Sequence, residues 1–408
     1  MRTVEQALEE ILQRADPLPT EHISLLSARG RVLAENAMAD TDLPPFTNSA
    51  VDGYAVRAED TQGTTKERPL ALQIIGEVMA GQVPERPLEP HTAIRVMTGA
   101  PLPENADAMV MVEDTELLSS EQVAIHLPAR VGQHIRYQGE EVVKGSQVLS
   151  AGTYLRPAEI GLLATLGFAE PLVYRAPRVS IVSTGDELVG LESRKALERG
   201  QIRDSNRYAL AAMVEEAGGI VHSLTHIPDT MEATEKAFEA CVASGADVIV
   251  TAGGVSVGER DFVKPVLEKL GRLEFWRISM KPGKPLAFGS IGKTLFFGLP
   301  GNPVSALVTF ELFVRPLLGK LAGRSMKDVL RPRLRVRLLE PVLHVAGRQE
   351  YVRAVITLQE DGEWVARITG DQGSSRLSSM VGANALLIIP ADSVGLAMGD
   401  FLEALWLN

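Results

Sequence analysis

In 408 residues there is one cysteine, Cys241, so the chain can form neither an intramolecular disulfide framework nor a cysteine-based metal site. It lies in Ala-Phe-Glu-Ala-Cys-Val, a helical pattern, and reads as a small buried apolar residue. A basic excess is also missing. The formal net charge of −11 argues against a nucleic-acid partner, because phosphate contacts need a basic face. No apolar run approaches the length of a membrane span. Glu5, Glu9 and Glu10 interrupt the stretch where a signal peptide would carry its apolar core, so a soluble cytoplasmic protein is expected. The seven histidines are scattered without metal-ligand spacing, and no Ser/His/Asp or Cys/His nucleophile set is legible.

What is present is enough apolar sequence, 45%, to build the cores of two to four domains. Thr3-Val4-Glu5-Gln6 fits a capping box, and Val4, Leu8, Ile11, Leu12 and Ala15 form a helical stripe that ends before Pro17 and Pro19. Asp42-Leu43-Pro44-Pro45-Phe46 reads as a stiff linker and a boundary. From Leu70 to about Arg136, short β runs at Leu72–Ile75, Ala93–Met97, Ala108–Val112 and Gln122–Ile125 alternate with turns, which suggests a small all-β domain. A helical stretch, Pro157 to Leu166, follows and could pack back on the first helix.

The region 178–320 changes rhythm. Expected strands at Val179–Val182, Val221–Thr225, Asp247–Val250, near Trp276–Met280 and at Leu295–Phe297 alternate with helices at Arg207–Ala217, Met231–Ala243, Val263–Leu270 and Val304–Leu318. Alternation of this kind implies an α/β domain with a mostly parallel sheet covered by helices. After Pro332 a β pattern returns through Leu334, Val336, Leu338, Val352–Leu358, Trp364–Ile368 and Leu386–Ile389, as a separate C-terminal β domain.

The densest signal is Thr251-Ala252-Gly253-Gly254, which breaks a buried β-branched run before a polar turn carrying Ser256, Gly258 and Asp261. Paired glycines at the carboxyl end of a parallel strand let backbone N–H groups approach an anion. A tight strand-to-helix turn needs the same glycines, but not the adjoining Ser256, Asp261 and Lys264. Three more polar clusters occur in this region: Ser183-Thr184-Gly185-Asp186-Glu187, Asp204-Ser205-Asn206 and Pro228-Asp229-Thr230. Each alone is a plausible helix cap; together they mark one cleft, because a parallel sheet gathers its strand C-termini along one edge. Glu187, Asp229 and Asp261 would supply the oxygen ligands that Mg²⁺ prefers. Lys281-Pro282-Gly283-Lys284-Pro285 puts two lysines in a stiff turn. In Gly298-Leu299-Pro300-Gly301-Asn302-Pro303-Val304-Ser305, Asn302 fits an N-cap and Pro303 the first helical position, so lysines and a helix start suit a tetrahedral oxyanion.

With Asp42–Val56, Arg95–Ala100, Val179–Leu188, Thr251–Phe262, Lys281–Phe288 and Gly298–Ala306 in view, the chain resembles the molybdopterin molybdenumtransferase family, related to the C-terminal domain of gephyrin. The resemblance implies four domains. They are an elongated dimerisation domain from 1–45 and 141–177, an inserted β domain at 46–140, an α/β molybdopterin-binding domain at 178–326 and a C-terminal β barrel at 327–408. It implies a homodimer whose active site draws on both subunits, with Asp52 and Thr98 contributing beside Glu187, Asp229 and Asp261. The implied reaction joins molybdate to the dithiolene of adenylylated molybdopterin, with Mg²⁺-dependent release of AMP.

Carried onto this sequence, Gly253, Gly254 and Ser256, with Ser183, Thr184, Asp204, Pro300 and Pro303, match substrate-binding positions. Lys281, Lys284, Ser305, Arg348, Arg353 and Ser374 match the molybdate side. The molybdopterin adenylyltransferase and cofactor-accepting enzymes are the implied hand-off partners. Two departures stand out: Glu140-Glu141 replaces an expected Gly-Glu-Asp pattern, and Pro228-Asp229 leaves one carboxylate where a pair is common. Two other functions remain open at this point, a molybdopterin adenylyltransferase and a non-catalytic dimeric scaffold.

Overall fold

The computed structural model describes residues 1–255 and 261–407, and the chain divides into two compact units. One comprises 1–35, 151–160 and 169–408; the other comprises 36–150 and 161–168.

The first unit opens with helix α1 (Val4–Gln13), whose Thr3 and Gln6 form the expected capping box and whose Val4, Ala7, Ile11 and Leu12 are buried. Its centre is a six-stranded sheet. In chain order the elements are β1 (Arg178–Thr184), α2 (Asn206–Glu216), β2 (Ile220–Ile227), α3 (Met231–Ala243), β3 (Val248–Ala252) and α4 (Val263–Leu270). Then come β4 (Arg272–Arg277), β5 (Met280–Lys281), β6 (Pro285–Ile291) and β7 (Thr294–Leu299). The sheet runs β2-β1-β3-β7-β6-β4. Its first three pairings are parallel and the last two antiparallel. Every residue of β3 is buried, as a strand covered on both faces requires. Its side chains alternate between two cores. Val248 and Val250 join α1, α2 and the helix after β7, while Ile249 joins Phe238 and Cys241 of α3 and Val263, Val266 and Leu267 of α4. Cys241 is therefore a packing residue, at 5% exposure.

Three sequence expectations change here. The strand near Trp276–Met280 is two elements, because β4 ends at Arg277 and Met280–Lys281 pairs elsewhere. β6 escaped notice because its proline-flanked start resembles a loop. The helix expected over Val304–Leu318 runs 303–321 and contains a π segment at Phe310–Val314.

The C-terminal part of this unit comprises β8 (Arg333–Leu338), β9 (Gln349–Leu358), β10 (Trp364–Ile368), β11 (Ala385–Ile389) and β12 (Phe401–Trp406). The β9–β11 pairing closes the run β9-β10-β8-β12-β11 into a five-stranded barrel. Val336, Leu338, Val352, Ile356 and Leu387 fill its interior. β5 joins the barrel's edge, pairing in parallel with β9 so that Lys281 stands opposite Glu350.

The second unit is built on a curled six-stranded sheet in the order Ala108–Met111, Gly53–Val56, Thr92–Val96, Leu70–Val78, Gln122–Ile125 and Thr115–Ser119. Tyr54 and Val56 face one small core and Ala55 the other, the two-residue alternation a strand imposes. Among the described residues no helix is long and apolar enough to cross a membrane.

Candidate active site

Strand register alone brings four distant loops to one edge. Thr184 is level with Ile227 across β1 and β2, Ser183 with Ala252 across β1 and β3, and Ala252 with Leu299 across β3 and β7. Of the residues that follow these strands, Gly185, Glu187, Asp229, Gly253, Gly254 and Pro300–Asn302 consequently surround one cleft of about 600 Å³. Among the residues expected to touch substrate or metal, Ser183, Thr184, Glu187, Asp204, Asp229, Gly253, Gly254, Asp261, Pro300 and Pro303 line it. Ser256 lies outside the described residues.

The paired glycines are required by shape. Gly253 and Gly254 have φ of 96° and 66°, a region that side chains disfavour. A Cβ on Gly253 would meet the Thr184 carbonyl oxygen at 2.9 Å, and one on Gly254 would meet Val263 Cγ2 at 2.6 Å. The Gly253 N–H donates to Leu299 O at 3.1 Å, which ties this loop to the Pro300 turn. Lys264, which the sequence groups with this loop, lies 3.7 Å from Glu268 one turn along α4.

On the floor, Ser183 is fully buried and donates its hydroxyl to Asp204 Oδ2 at 2.6 Å. Asp204 Oδ1 accepts from the Arg207 N–H at 3.2 Å. Asp204 thus caps the start of α2, while the formal N-cap Ser205 makes no capping bond. Thr230 does cap α3, accepting from the Ala233 N–H at 3.2 Å.

The acidic side of the cleft is more crowded than the sequence suggests. Pro228-Asp229 brings one carboxylate, but Asp186 supplies a second from the neighbouring loop: the Asp229 N–H donates to Asp186 Oδ1 at 3.2 Å. Burial pushes the Asp229 carboxyl above its usual range, and the nearby charges of Asp186 and Glu187 add to the rise. The Asp186 backbone N–H and the Thr184 hydroxyl oppose it. Among the described residues no three His, Cys, Asp or Glu side chains converge closely enough to hold a metal ion by themselves. Glu187, Asp229 and Asp261 therefore share the cleft wall without closing into a protein-only metal site.

The residues expected around the oxyanion do not line this cleft, and they fall into distinct settings. Lys281 is half exposed and paired with Glu350 at 2.8 Å. Lys284 is exposed and Arg348 partly so. Ser305 is buried within the helix, at 4% exposure. Arg353 is also buried, at 1%, and presents no open guanidinium. It donates to Ser379 Oγ at 3.1 Å, Gly373 O at 3.2 Å and Asp371 O at 3.4 Å. Its place is beneath the Asp371–Ser375 loop, whose conformation it fixes. That loop meets the helix start at 303: Asn302 Nδ2 donates to Ser374 Oγ at 3.1 Å, and the Val304 N–H donates to Ser374 O at 3.1 Å. The Asn302 side chain consequently makes no capping bond, contrary to its N-cap pattern. Ser375, next in the chain, lines the cleft.

Two polar cleft residues, Arg203 and Ser375, escaped the sequence reading, which took Asn206 and Asn302 only as helix-cap positions. Asn206 was legible only as part of a cap, yet its Nδ2 donates to Gly301 O at 2.7 Å across the cleft floor. Its spacing from Gly301 carries no sequence signal.

In the second unit, Asp52 and Thr98 meet at the end of adjacent strands. Asp52 Oδ1 accepts from both the Thr98 N–H at 2.7 Å and the Thr98 hydroxyl at 2.8 Å. These two bonds hold the carboxyl below its ordinary range, the N–H contributing most.

Comparison with known proteins covers the whole chain. Family models match it as the MoeA N-terminal region (domain I and II) over residues 2–167, a "probable molybdopterin binding domain" over 180–320, and the MoeA C-terminal region (domain IV) over 335–407. It is 39% identical over 401 residues to the molybdopterin molybdenumtransferase of Haemophilus influenzae, covering 98% of this chain and 97% of that one. It is 38% identical over 412 residues to molybdopterin molybdenumtransferase 2 of Mycobacterium tuberculosis, with 99% of each covered. The crystal structure of the molybdopterin biosynthesis moeA protein from Pyrococcus horikoshii matches its fold over the full length of both chains, with a TM-score of 0.82 and 31% identity.

Proposed function

Because the chain belongs to the molybdopterin molybdenumtransferase family, whose work is molybdenum cofactor biosynthesis, we propose that it joins molybdate to the dithiolene of adenylylated molybdopterin and releases AMP with Mg²⁺. The observation that carries this reading is the single cleft in which the Gly253-Gly254 loop, the Pro300–Asn302 turn and the acidic loops face one another. A nucleotide-bearing pterin needs backbone N–H groups for its phosphates and hard oxygen ligands for their counter-ion, and both are on these walls.

Gly253 and Gly254 hold the phosphate close to the backbone. Asn206, bonded to Gly301, fixes the opposite wall. The carboxylates suit Mg²⁺ in the mode that uses one or two protein oxygens and completes its shell with phosphate and water. Burial, with the nearby charges of Asp186 and Glu187 added to it, raises the Asp229 carboxyl, and a bound cation would offset both. Glu187, Asp229 and Asp261, which line the cleft, are the carboxylates of which one or two would hold it. When bound, Mg²⁺ neutralises phosphate charge as the phosphoryl bond is broken. Lys281 and Lys284 present positive charge to the molybdate oxyanion, with the Asn302–Ser374 contact shaping that side. Asp52, kept ionised by Thr98, serves as a catalytic carboxylate.

The working form is a homodimer acting in the cytoplasm, organised in the four domains set out above, with the molybdopterin adenylyltransferase and cofactor-accepting enzymes as neighbours in the sequence of reactions. One assay separates this reading from its rivals. AMP release from adenylylated molybdopterin that depends on molybdate and Mg²⁺ supports it. ATP-driven adenylylation of plain molybdopterin would identify an adenylyltransferase instead, and absence of turnover in both assays would identify a scaffold.

A further inference from the structure

Lys281 does not stand alone. The parallel pairing of Met280–Lys281 with Gln349–Glu350 sets Lys281 opposite Glu350, and the Lys281 ammonium lies 2.8 Å from Glu350 Oε1. The other carboxylate oxygen, Oε2, lies 2.7 Å from His344 Nδ1. Exposure falls along this chain from 51% for the Lys281 side chain to 7% for Glu350 and 1% for His344. His344 Nε2 is buried with no hydrogen-bond partner among the described residues.

His344 Nδ1 and Glu350 Oε2 share a buried hydrogen bond that holds the carboxylate from its inner side and leaves Oε1 to the lysine. Glu350 is a buried carboxylate bonded to the Lys281 ammonium, with the Arg353 guanidinium near enough to feel its charge, and a buried charge of this kind is held firmly by its bonded partner. Lys281 sits on a strand of only two residues, so the position of its ammonium is set from the barrel side.

We infer that Glu350 and His344 are positioning residues for Lys281, and that through it they set how tightly the oxyanion is held. This rests on the reading of Lys281 as an oxyanion contact. His344 was invisible in the sequence because its partner chain runs through Glu350 to a residue on another element.

Steady-state AMP release by the full chain, with molybdate and adenylylated molybdopterin varied in turn, tests the inference. Glu350→Gln keeps shape and removes charge; His344→Leu removes the donor; His344→Asn keeps a donor at the Nδ1 position. Loss of one charge-assisted hydrogen bond predicts a rise of about tenfold in the KM for molybdate in Glu350→Gln and His344→Leu, with kcat and the KM for the pterin substrate changed by no more than about twofold. His344→Asn should return the molybdate KM to within about threefold of the wild-type value. An unchanged molybdate KM, or equal rises for both substrates, overturns the inference, whatever happens to the melting temperature. Should His344→Leu fail to fold, the near-isosteric Glu350→Gln and His344→Asn decide. Lys281→Met is the control: if it leaves the molybdate KM unchanged, the oxyanion reading fails; if it raises that KM while Glu350→Gln does not, only the positioning inference fails.

Discussion

Asp52 and Thr98, 46 residues apart, form a two-point clamp in which one carboxylate oxygen accepts from both the backbone N–H and the hydroxyl of the threonine. The clamp lowers the Asp52 carboxyl from its ordinary value. A depressed acid adds stability in full above the ordinary carboxylate pKa of about 4 and loses it as pH falls through the native value. Asp52→Asn should therefore melt below wild type at neutral pH, and the gap should close on acidification below about pH 4. A gap of constant size from pH 7 to pH 3 would show that the charge is not what the clamp uses.

Gly253→Ala meets two obstacles together, a φ of 96° and a Cβ 2.9 Å from the Thr184 carbonyl. The expected cost is about 1–3 kcal/mol of stability. Because relieving the clash shifts the Gly253-Gly254 loop that lines the cleft, the KM for adenylylated molybdopterin should rise by about tenfold or more. Thermal melting and substrate titration read the two effects separately, and a variant with wild-type KM would remove the glycine loop from the phosphate site.

Arg353→Met removes a buried guanidinium from three acceptors, Ser379 Oγ and the Asp371 and Gly373 carbonyls. Leaving buried acceptors unpaired, with the packing loss, predicts destabilisation of about 2–4 kcal/mol. Hydrogen exchange should also speed up at the Val304 amide, whose acceptor is the Ser374 carbonyl on the loop that Arg353 fixes. Unaltered exchange there would show that the loop is held by other contacts.

The parts of this architecture that were legible in sequence are those with local causes. The Thr3–Gln6 capping box, the β-branched run at Val248–Val250 and the glycine break after it each act within a few residues, and the parallel sheet then carries the loops to one edge by register. The parts that were not legible depend on contacts between distant segments. Asn302 has the sequence of an N-cap, but its amide goes to Ser374, 72 residues away. Arg353 reads as an oxyanion ligand, but a loop 18 to 26 residues later claims its guanidinium. Asp186 supplies the carboxylate missing beside Asp229 only because β1 and β2 are neighbours in the sheet.

Asp261 lines the cleft with Glu187 and Asp229, where it would serve the cation that accompanies the phosphate. The most direct measurement is AMP released from adenylylated molybdopterin in the presence of Mg²⁺, with and without molybdate, by the wild-type chain and by Asp261→Ala. Wild type should release AMP only when molybdate is present, matched by formation of molybdenum cofactor, and the variant should lose about a hundredfold or more of that rate. Release that ignores molybdate, or a variant that works at the wild-type rate, would contradict this reading.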